Sequence, residues 1–256
     1  MTSATTNGQT APINGMQMYY EIHGQGEPLM LLHGFTGAGS NWQPFIGDLA
    51  REYQLIIPDL RGHGRSTNPS ETFTFRQAAL DMFALLDRLG ILRCKAIGLS
   101  AGGKTLLHMA TQQPARLEAM VLASTAPYFP EQARAIMRRM TAESHSEEEW
   151  QLMRQWHSYG DAQIRALWVQ GHAFKDSFDD MNFTPPYLST ITARTLIVHG
   201  DRDPIYPVNL ALEMYSAIPL SYLWIIPNGE HGTIFNLIER FNETAMAFLR
   251  GEWEGR

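Results

Sequence analysis

Short apolar segments alternate with longer amphipathic segments along most of this chain. Six of the apolar segments are almost continuously hydrophobic, at residues 29–32, 55–57, 96–99, 120–123, 196–198 and 223–226. Continuous apolar runs of this length are typical of strands buried on both faces, as in a parallel sheet covered by helices. Residues 17–22 alternate between polar and apolar side chains, and this pattern predicts an edge strand of a hairpin.

The amphipathic segments between these runs have helical periodicity. They cover residues 41–51, 75–90, 102–113, 208–217 and 233–249. The last of them places Ile238, Phe241 and Ala245 on one face, which forms an apolar stripe suited to packing on a sheet. Strands that alternate with helices predict an α/β fold with a mostly parallel, doubly wound sheet.

Residues 128–187 interrupt this alternation because they contain no strand-like run. Helical patterns occupy 131–141, 146–157 and 162–174, so we expect a helical cap inserted between two core strands. The predicted division is a flexible N-terminal arm over 1–14, a core formed by 15–127 and 188–256, and the cap over 128–187. Packing against the core is the favoured role of the methionines and tryptophans in the cap, and lining of a substrate pocket stays open for each of them: Met137, Met140, Met153, Met181, Trp150, Trp156 and Trp168.

Composition mainly excludes classes of function. The 256 residues carry a net charge of −6 without a basic tract, which argues against nucleic-acid binding. No apolar run approaches the roughly 18 residues of a membrane span, and the polar N-terminus lacks the features of a signal peptide. The single cysteine excludes an intramolecular disulfide. We therefore expect a cytoplasmic monomer or homodimer that acts on a small molecule.

The segment around Ser100 carries the strongest chemical signal. An apolar strand ends at Leu99, Ser100 follows, and a helix begins at once, with Gly98 and Gly102 two residues to either side. This is the Gly-x-Ser-x-Gly nucleophile elbow, in which a strained serine projects its hydroxyl above the sheet. Glycine is needed on both sides because strand and helix pass very close there.

Three further strands end in suitable partner residues. The strand over 29–32 leads to Phe35, whose N–H can join that of Ala101 in an oxyanion hole. The strand over 196–198 leads to Asp203, and the strand over 223–226 leads to His231. The order serine, aspartate, histidine along the chain is the order expected for the elbow-bearing fold.

With these motifs the chain resembles the α/β-hydrolase superfamily over about residues 16–250. The matching segments are His33-Gly-Phe35, Asp59-Leu-Arg-Gly-His-Gly-Arg-Ser66, Gly98-Leu-Ser-Ala-Gly-Gly103, Gly200-Asp-Arg-Asp-Pro204 and Gly229-Glu-His231. The resemblance implies an eight-stranded sheet with a cap after the sixth strand. The small size and the single insertion are similar to the branch of capped serine esterases, C–C hydrolases and cofactor-free perhydrolases.

The resemblance also assigns roles to residues. Ser100 would attack the substrate carbonyl, His231 would transfer the proton, and Asp203 would orient His231. Asp201 is the alternative acid, although a turn-capping role suits it better. The histidines His33, His63 and His199 lie in turn motifs, where turn-stabilising hydrogen bonds are the favoured role. The predicted substrate-binding residues are Phe35, Trp42, Tyr128, Phe129, Trp156 and Ile205.

We thus expect a serine hydrolase that cleaves a small-to-medium carboxylic ester or lactone. No cofactor is expected, and no spacing of histidines or cysteines predicts a metal site. The same three residues also support hydrolysis of a C–C bond or cofactor-free perhydrolysis, so both stay open as alternatives. The non-enzymatic alternative is a ligand sensor that keeps the hydrolase scaffold.

Overall fold

An eight-stranded sheet organises residues 8–253, which are the residues described by this computed structural model. The strands are β1 (Gly8–Ile13), β2 (Met16–His23), β3 (Glu27–Leu32), β4 (Tyr53–Pro58), β5 (Cys94–Leu99), β6 (Leu117–Ala123), β7 (Arg194–Gly200) and β8 (Ser221–Ile226). Their order across the sheet is β1-β2-β4-β3-β5-β6-β7-β8. The pairs β1–β2 and β2–β4 are antiparallel and every other pair is parallel, which confirms the expected mostly parallel sheet.

Helices cover both faces of the sheet, as the continuous apolar strands require. One apolar core lies under α1 (Gln43–Leu49) and α9 (Ile238–Leu249). The other lies under α2 (Phe75–Arg88), α3 (Ala101–Gln112) and α8 (Val208–Ala217). The helix predicted over 233–249 is divided, because Leu237 is not helical (φ −139°, ψ 39°) and separates a short 3₁₀ helix from α9.

The N-terminal hairpin corrects two expectations. Residues 8–13 were predicted to belong to a flexible arm, but they form the edge strand β1, so that β2 is an inner strand and not the edge. Asn14 and Gly15 both have positive φ (42° and 79°), as the tight turn of a hairpin requires. Within β1 only Ala11 and Ile13 are buried, which is too few apolar positions to be recognised as a strand. The rest of the predicted arm, residues 1–7, lies outside the described residues.

The segment between β6 and β7, called here the helical insert (residues 128–187), forms α4 (Glu131–Met137), α5 (Glu147–Trp156), α6 (Gly160–Ala173) and α7 (Pro185–Leu188). Apart from a single bridge between Tyr128 and Asn182, no strand pairing occurs in it. The Asp180 carboxylate accepts hydrogen bonds from the first two N–H groups of α2, at 2.7 and 3.1 Å, and so ties the insert to the core. Its status as a separate cap domain stays a prediction.

The tightest backbone packing occurs where β5 turns into α3. A Cβ atom on Gly98 would lie 2.5 Å from the Gly102 carbonyl carbon, and one on Gly102 would lie 2.2 Å from the Leu32 carbonyl oxygen in β3. Both contacts are with backbone atoms, so no side-chain movement can relieve them. The glycines of the elbow are therefore required by steric contact, as the sequence pattern indicated.

None of the helices within residues 8–253 has the length and apolar character needed to cross a membrane.

Gly102→Ala is expected to destabilise the protein by about 3 kcal/mol or more, because overpacking against backbone cannot relax. Gly47→Ala is the matched control, since Gly47 lies in α1 with nothing within 4 Å of a Cβ atom. That control should stabilise the protein by up to about 1 kcal/mol through helix propensity. Urea unfolding of both variants measures the two effects, and similar stabilities for the two variants would contradict the steric explanation.

Candidate active site

Ser100 occupies the sharp turn between β5 and α3, near the centre of the sheet. Its φ of 50° and ψ of −105° lie in a sparsely populated region, at a cost of roughly 1–3 kcal/mol. The Ser100 N–H donates to the Ala123 carbonyl at 2.8 Å. The Ser100 carbonyl accepts from the Lys104 N–H at 3.0 Å and from the Thr125 hydroxyl at 2.9 Å. These hydrogen bonds hold the serine in its strained conformation.

Asp203 and His231 form a directly bonded pair beside this turn. His231 Nδ1 lies 2.8 Å from Asp203 Oδ2, and the other carboxylate oxygen accepts from the N–H groups of Ile205 and Tyr206 at 2.8 and 3.0 Å. Burial alone raises the pKa of Asp203, but the hydrogen bond and charge of His231 together with these N–H groups hold that pKa below its usual value. An ionised Asp203 keeps the His231 proton on Nδ1 and leaves Nε2 as an acceptor.

The loop that carries His231 follows the edge strand β8, and close contacts of its backbone hold it against the loops after β6 and β7. A Cβ atom on Gly200 would lie 2.2 Å from the Gly229 carbonyl oxygen, so the loops after β7 and β8 touch through their backbones. The Gly232 N–H donates to the Ser124 hydroxyl at 3.1 Å, which joins the same loop to the end of β6. Residues from three strand ends therefore meet beside Ser100.

The start of α3 and the Phe35 loop both adjoin the serine. Ala101 is the first residue of α3, so its N–H lacks an intrahelical acceptor and carries the partial positive charge of the helix start. A Cβ atom on Gly34 would lie 3.8 Å from Ser100 Cβ, and Phe35 is the next residue in that loop. The structure thus brings the two predicted oxyanion-hole residues, Phe35 and Ala101, next to Ser100.

Three buried histidines hold the Phe35 loop. His63 Nε2 accepts a hydrogen bond from the Thr36 N–H at 3.1 Å, and His157 Nε2 donates to the Thr36 carbonyl at 3.0 Å. His33 Nδ1 donates to the carbonyl of the following residue at 2.8 Å. Burial lowers the pKa of His33 and of His157 to about 4, and burial lowers the pKa of His63 well below its usual value.

The turn-stabilising role predicted for the turn histidines agrees with these contacts. His33 and His63 make them in the Phe35 loop, and His199 Nε2 hydrogen-bonds to the Tyr206 carbonyl at 2.9 Å. His157 was not identified from the sequence. It belongs to the insert and lies 121 positions from its partner Thr36, so no local pattern links the two.

A largely apolar cavity of about 250 Å³ lies above the serine. Ser100 and His231 line it together with three of the predicted substrate-binding residues, Phe35, Phe129 and Ile205. The insert contributes further side chains, among them Met137, Met140 and Phe174. Two of the methionines considered as pocket lining therefore have that position. Met153, Trp150 and Trp168 instead belong to the insert's own apolar cluster, and Met181 belongs to the core.

The other three predicted substrate-binding residues do not line the cavity. Trp42 is buried beside Phe45 in the core, with ring centroids 5.3 Å apart. The Tyr128 hydroxyl donates to Glu213 at 2.9 Å, and Trp156 packs against the insert's own cluster. These three side chains lie outside the cavity because packing decides the direction of a side chain, which the sequence does not give.

Two polar residues of the cavity wall were not identified from the sequence. Tyr206 is buried, which raises its pKa well above the usual range, and its hydroxyl is hydrogen-bonded to the Ser100 side chain. Lys104 lies one helical turn after Ser100. Burial lowers its pKa to about 7, although the negative charge of Asp203 acts to raise that pKa. The spacing from Ser100 to Lys104 places both on one helix face, and this spacing is the sequence feature that could have identified Lys104 as a cavity residue.

A match to a known family covers the first half of this site. A family model described as the α/β-hydrolase fold matches residues 27–152, which include the Phe35 loop and the Ser100 turn. The matched segment belongs to the α/β-hydrolase superfamily. Serine hydrolase BPHL from Mus musculus is 28% identical to this protein over 97% of this chain and 88% of the relative.

Solved structures share the whole architecture. The meta-cleavage product hydrolase CumD from Pseudomonas fluorescens has a TM-score of 0.79 at 21% identity, covering 96% of this chain and 98% of that one. The enol-lactonase from Burkholderia xenovorans has a TM-score of 0.77 at 22% identity, covering 94% and 100%. At these identities the similarity establishes the fold of this protein.

Other regions of this protein offer less chemistry. A larger open groove of about 710 Å³ is lined by Asn14, Arg61 and several residues of α2, and no histidine or cysteine faces it. Within residues 8–253 no three histidine, cysteine or carboxylate side chains converge as a metal site would require. The Ser100 cavity is therefore the candidate active site.

The buried histidines predict acid sensitivity. Because the pKa of His33 and of His157 is about 4 in the folded protein and near 6.5 when unfolded, only the unfolded state takes up these protons as the pH falls below 6.5. Their contribution to stability is complete above pH 6.5 and should be lost towards pH 4, by about 1.4 kcal/mol per pH unit for each histidine. Urea unfolding between pH 7.5 and 4.5 measures this loss.

His157→Gln retains a donor and an acceptor without titrating in this range. The variant should therefore reduce the slope of the free energy of unfolding against pH by about the contribution of one histidine. An unchanged slope in this variant would show that His157 is not kept neutral by the fold.

Proposed function

We propose that the protein is a serine hydrolase that cleaves a small carboxylic ester or lactone through an acyl-enzyme on Ser100. The observation that carries this proposal is the meeting of four features at one apolar cavity. These are a strained serine, a histidine bonded to a buried carboxylate, a helix N-terminus and the Phe35 loop. The similarity to serine hydrolase BPHL supports the same reaction class.

In the proposed first step, the Ser100 hydroxyl turns from Tyr206 towards His231 Nε2, which accepts its proton as the oxygen attacks the carbonyl carbon. Hydrogen bonds between catalytic groups commonly tighten only when substrate is bound. Asp203 stabilises the positive charge that forms on His231 and keeps its ring oriented. The N–H groups of Phe35 and Ala101 bind the negatively charged carbonyl oxygen.

Collapse of the tetrahedral intermediate then breaks the ester bond. His231 gives its proton to the departing alcohol oxygen, and the acyl group stays on Ser100. A water molecule deprotonated by His231 attacks this acyl-enzyme in the second half, releasing the acid and restoring the Ser100 hydroxyl. Every proton and electron pair in this sequence is handled by residues of the chain, so the proposal requires no cofactor.

The apolar wall favours a largely apolar substrate, and the cavity volume of about 250 Å³ suits a substrate of modest size. An ester or lactone meets both requirements. The C–C bond hydrolase and perhydrolase alternatives would use the same serine and histidine, and faster cleavage of a diketone than of any ester would favour the former.

Replacement of the serine tests the nucleophile. Wild-type protein should release p-nitrophenol from p-nitrophenyl butyrate, and Ser100→Ala should lower kcat by about 10³-fold or more. Ser189→Ala, at an exposed serine that follows the last residue of α7 and does not line the cavity, is the control and should keep wild-type activity. A fluorophosphonate should label the wild type at Ser100, as peptide mass spectrometry would detect. Full activity in Ser100→Ala would remove this residue from the mechanism.

The two neighbouring aspartates allow a matched test of the acid. Asp203→Asn should lower kcat by about 10⁴-fold, because an amide favours the wrong tautomer of His231. Asp201→Asn removes the same charge two residues away, where no contact with His231 occurs within the described residues, and should change kcat less than about threefold. Steady-state kinetics on one ester decides between them, and a larger loss in Asp201→Asn would reverse the assignment.

A further inference from the structure

Lys104 is unusual among the buried cations of this protein. Within residues 8–253 the other buried cations have acceptors: Arg61 pairs with Asp81, Lys95 pairs with Glu27 and Glu118, and Arg134 donates to backbone carbonyls. Lys104 is 1% exposed, and its Nζ has no hydrogen-bond partner in the described part of the chain. A buried ammonium without an acceptor is strongly unfavourable.

Aromatic rings surround this ammonium but cannot replace an acceptor. Nζ lies 4.0 Å from the ring centroid of Tyr206, 5.5 Å from that of Phe129 and 5.9 Å from that of Phe75. Cation–π contacts compensate for only part of the hydration free energy that the ammonium loses on burial. Asp203, the carboxylate whose charge acts on Lys104, is already engaged through both oxygens with His231 and with two backbone N–H groups.

The position of Lys104 directs it to the reaction site. Side chains in a helix lean towards its N-terminus, so a long side chain one turn after Ser100 reaches back towards the serine. Lys104 and its aromatic neighbours Tyr206, Phe129 and Phe75 line the same cavity as Ser100 and His231. A substrate group that enters this cavity can therefore reach the ammonium while the scissile carbonyl lies at the serine.

We propose that Lys104 is an anion-recognition residue and that the substrate is an ester or lactone bearing a carboxylate close to its scissile carbonyl. The inference rests on the proposed hydrolase function and specifies its substrate class. The carboxylate supplies the acceptor that Nζ lacks, and the cavity is otherwise too apolar to admit an anion. Apolar walls with one buried cation thus select for a single negative charge at a defined place.

The test compares two p-nitrophenyl esters of equal chain length, the hydrogen glutarate and the neutral pentanoate. Wild type should prefer the hydrogen glutarate by roughly 10- to 100-fold in kcat/KM, as expected for a charge-assisted hydrogen bond. Lys104→Met keeps the length of the side chain without its charge and should abolish or reverse this preference. Arg202→Met removes an exposed cation beside Asp203 and should leave the ratio unchanged.

The outcomes separate this inference from the function on which it rests. Hydrolysis of both esters without preference, or a preference retained in Lys104→Met, would overturn the role of Lys104 and leave the hydrolase intact. Hydrolysis of neither ester would overturn the hydrolase proposal. Binding then tests Lys104 independently, since glutarate should raise the thermal unfolding midpoint of the wild type and of Arg202→Met but not that of Lys104→Met. No shift in the wild type would count against the anion site.

Discussion

The contact of α3 with the backbone of β3 is the constraint on which the rest of the site depends. No side chain fits between Gly102 and the Leu32 carbonyl, so the helix must begin directly after β5. That geometry forces Ser100 into a conformation with positive φ and turns the first N–H groups of α3 towards the same point. The strain is tolerated because the end of β6, the residue Thr125 after it and Lys104 of α3 supply hydrogen bonds to the backbone of Ser100. A reactive position for the serine thus follows from packing between two backbones.

The loops around this turn are held by buried polar groups, each of which has a defined partner. Neutral histidines hold the Phe35 loop, and one of them comes from the helical insert, so the insert and the oxyanion loop depend on each other. Asp203 is also buried, but its charge is compensated by His231 and by two N–H groups. Such networks are stable only when each member is satisfied. Lys104, in the cavity wall, has no hydrogen-bond partner within residues 8–253, and an incomplete member at the cavity is where a ligand can complete the network.

Much of the fold was predictable because its signals are local. Continuous apolar runs identified all six parallel strands, and helical periodicity predicted α2, α3, α8 and three helices of the insert, α4, α5 and α6, whereas α7 was not predicted. The strand β1 was missed, since an edge strand with few buried side chains has no strong pattern. The interruption before α9 was missed for a similar reason, because a single non-helical residue at Leu237 does not disturb the apolar stripe.

For the site, the sequence by itself determined which loops meet and which residue types they carry. The glycines around Ser100 and the ends of β7 and β8 are local features, and parallel strands necessarily place their carboxyl ends at one edge. The tertiary structure decided which side chains face the cavity. It turned Trp42 and Tyr128 away, brought in Lys104 and Tyr206, and joined His157 to a loop far away in sequence. Burial and side-chain direction depend on neighbours that are distant along the chain, and no local pattern contains them.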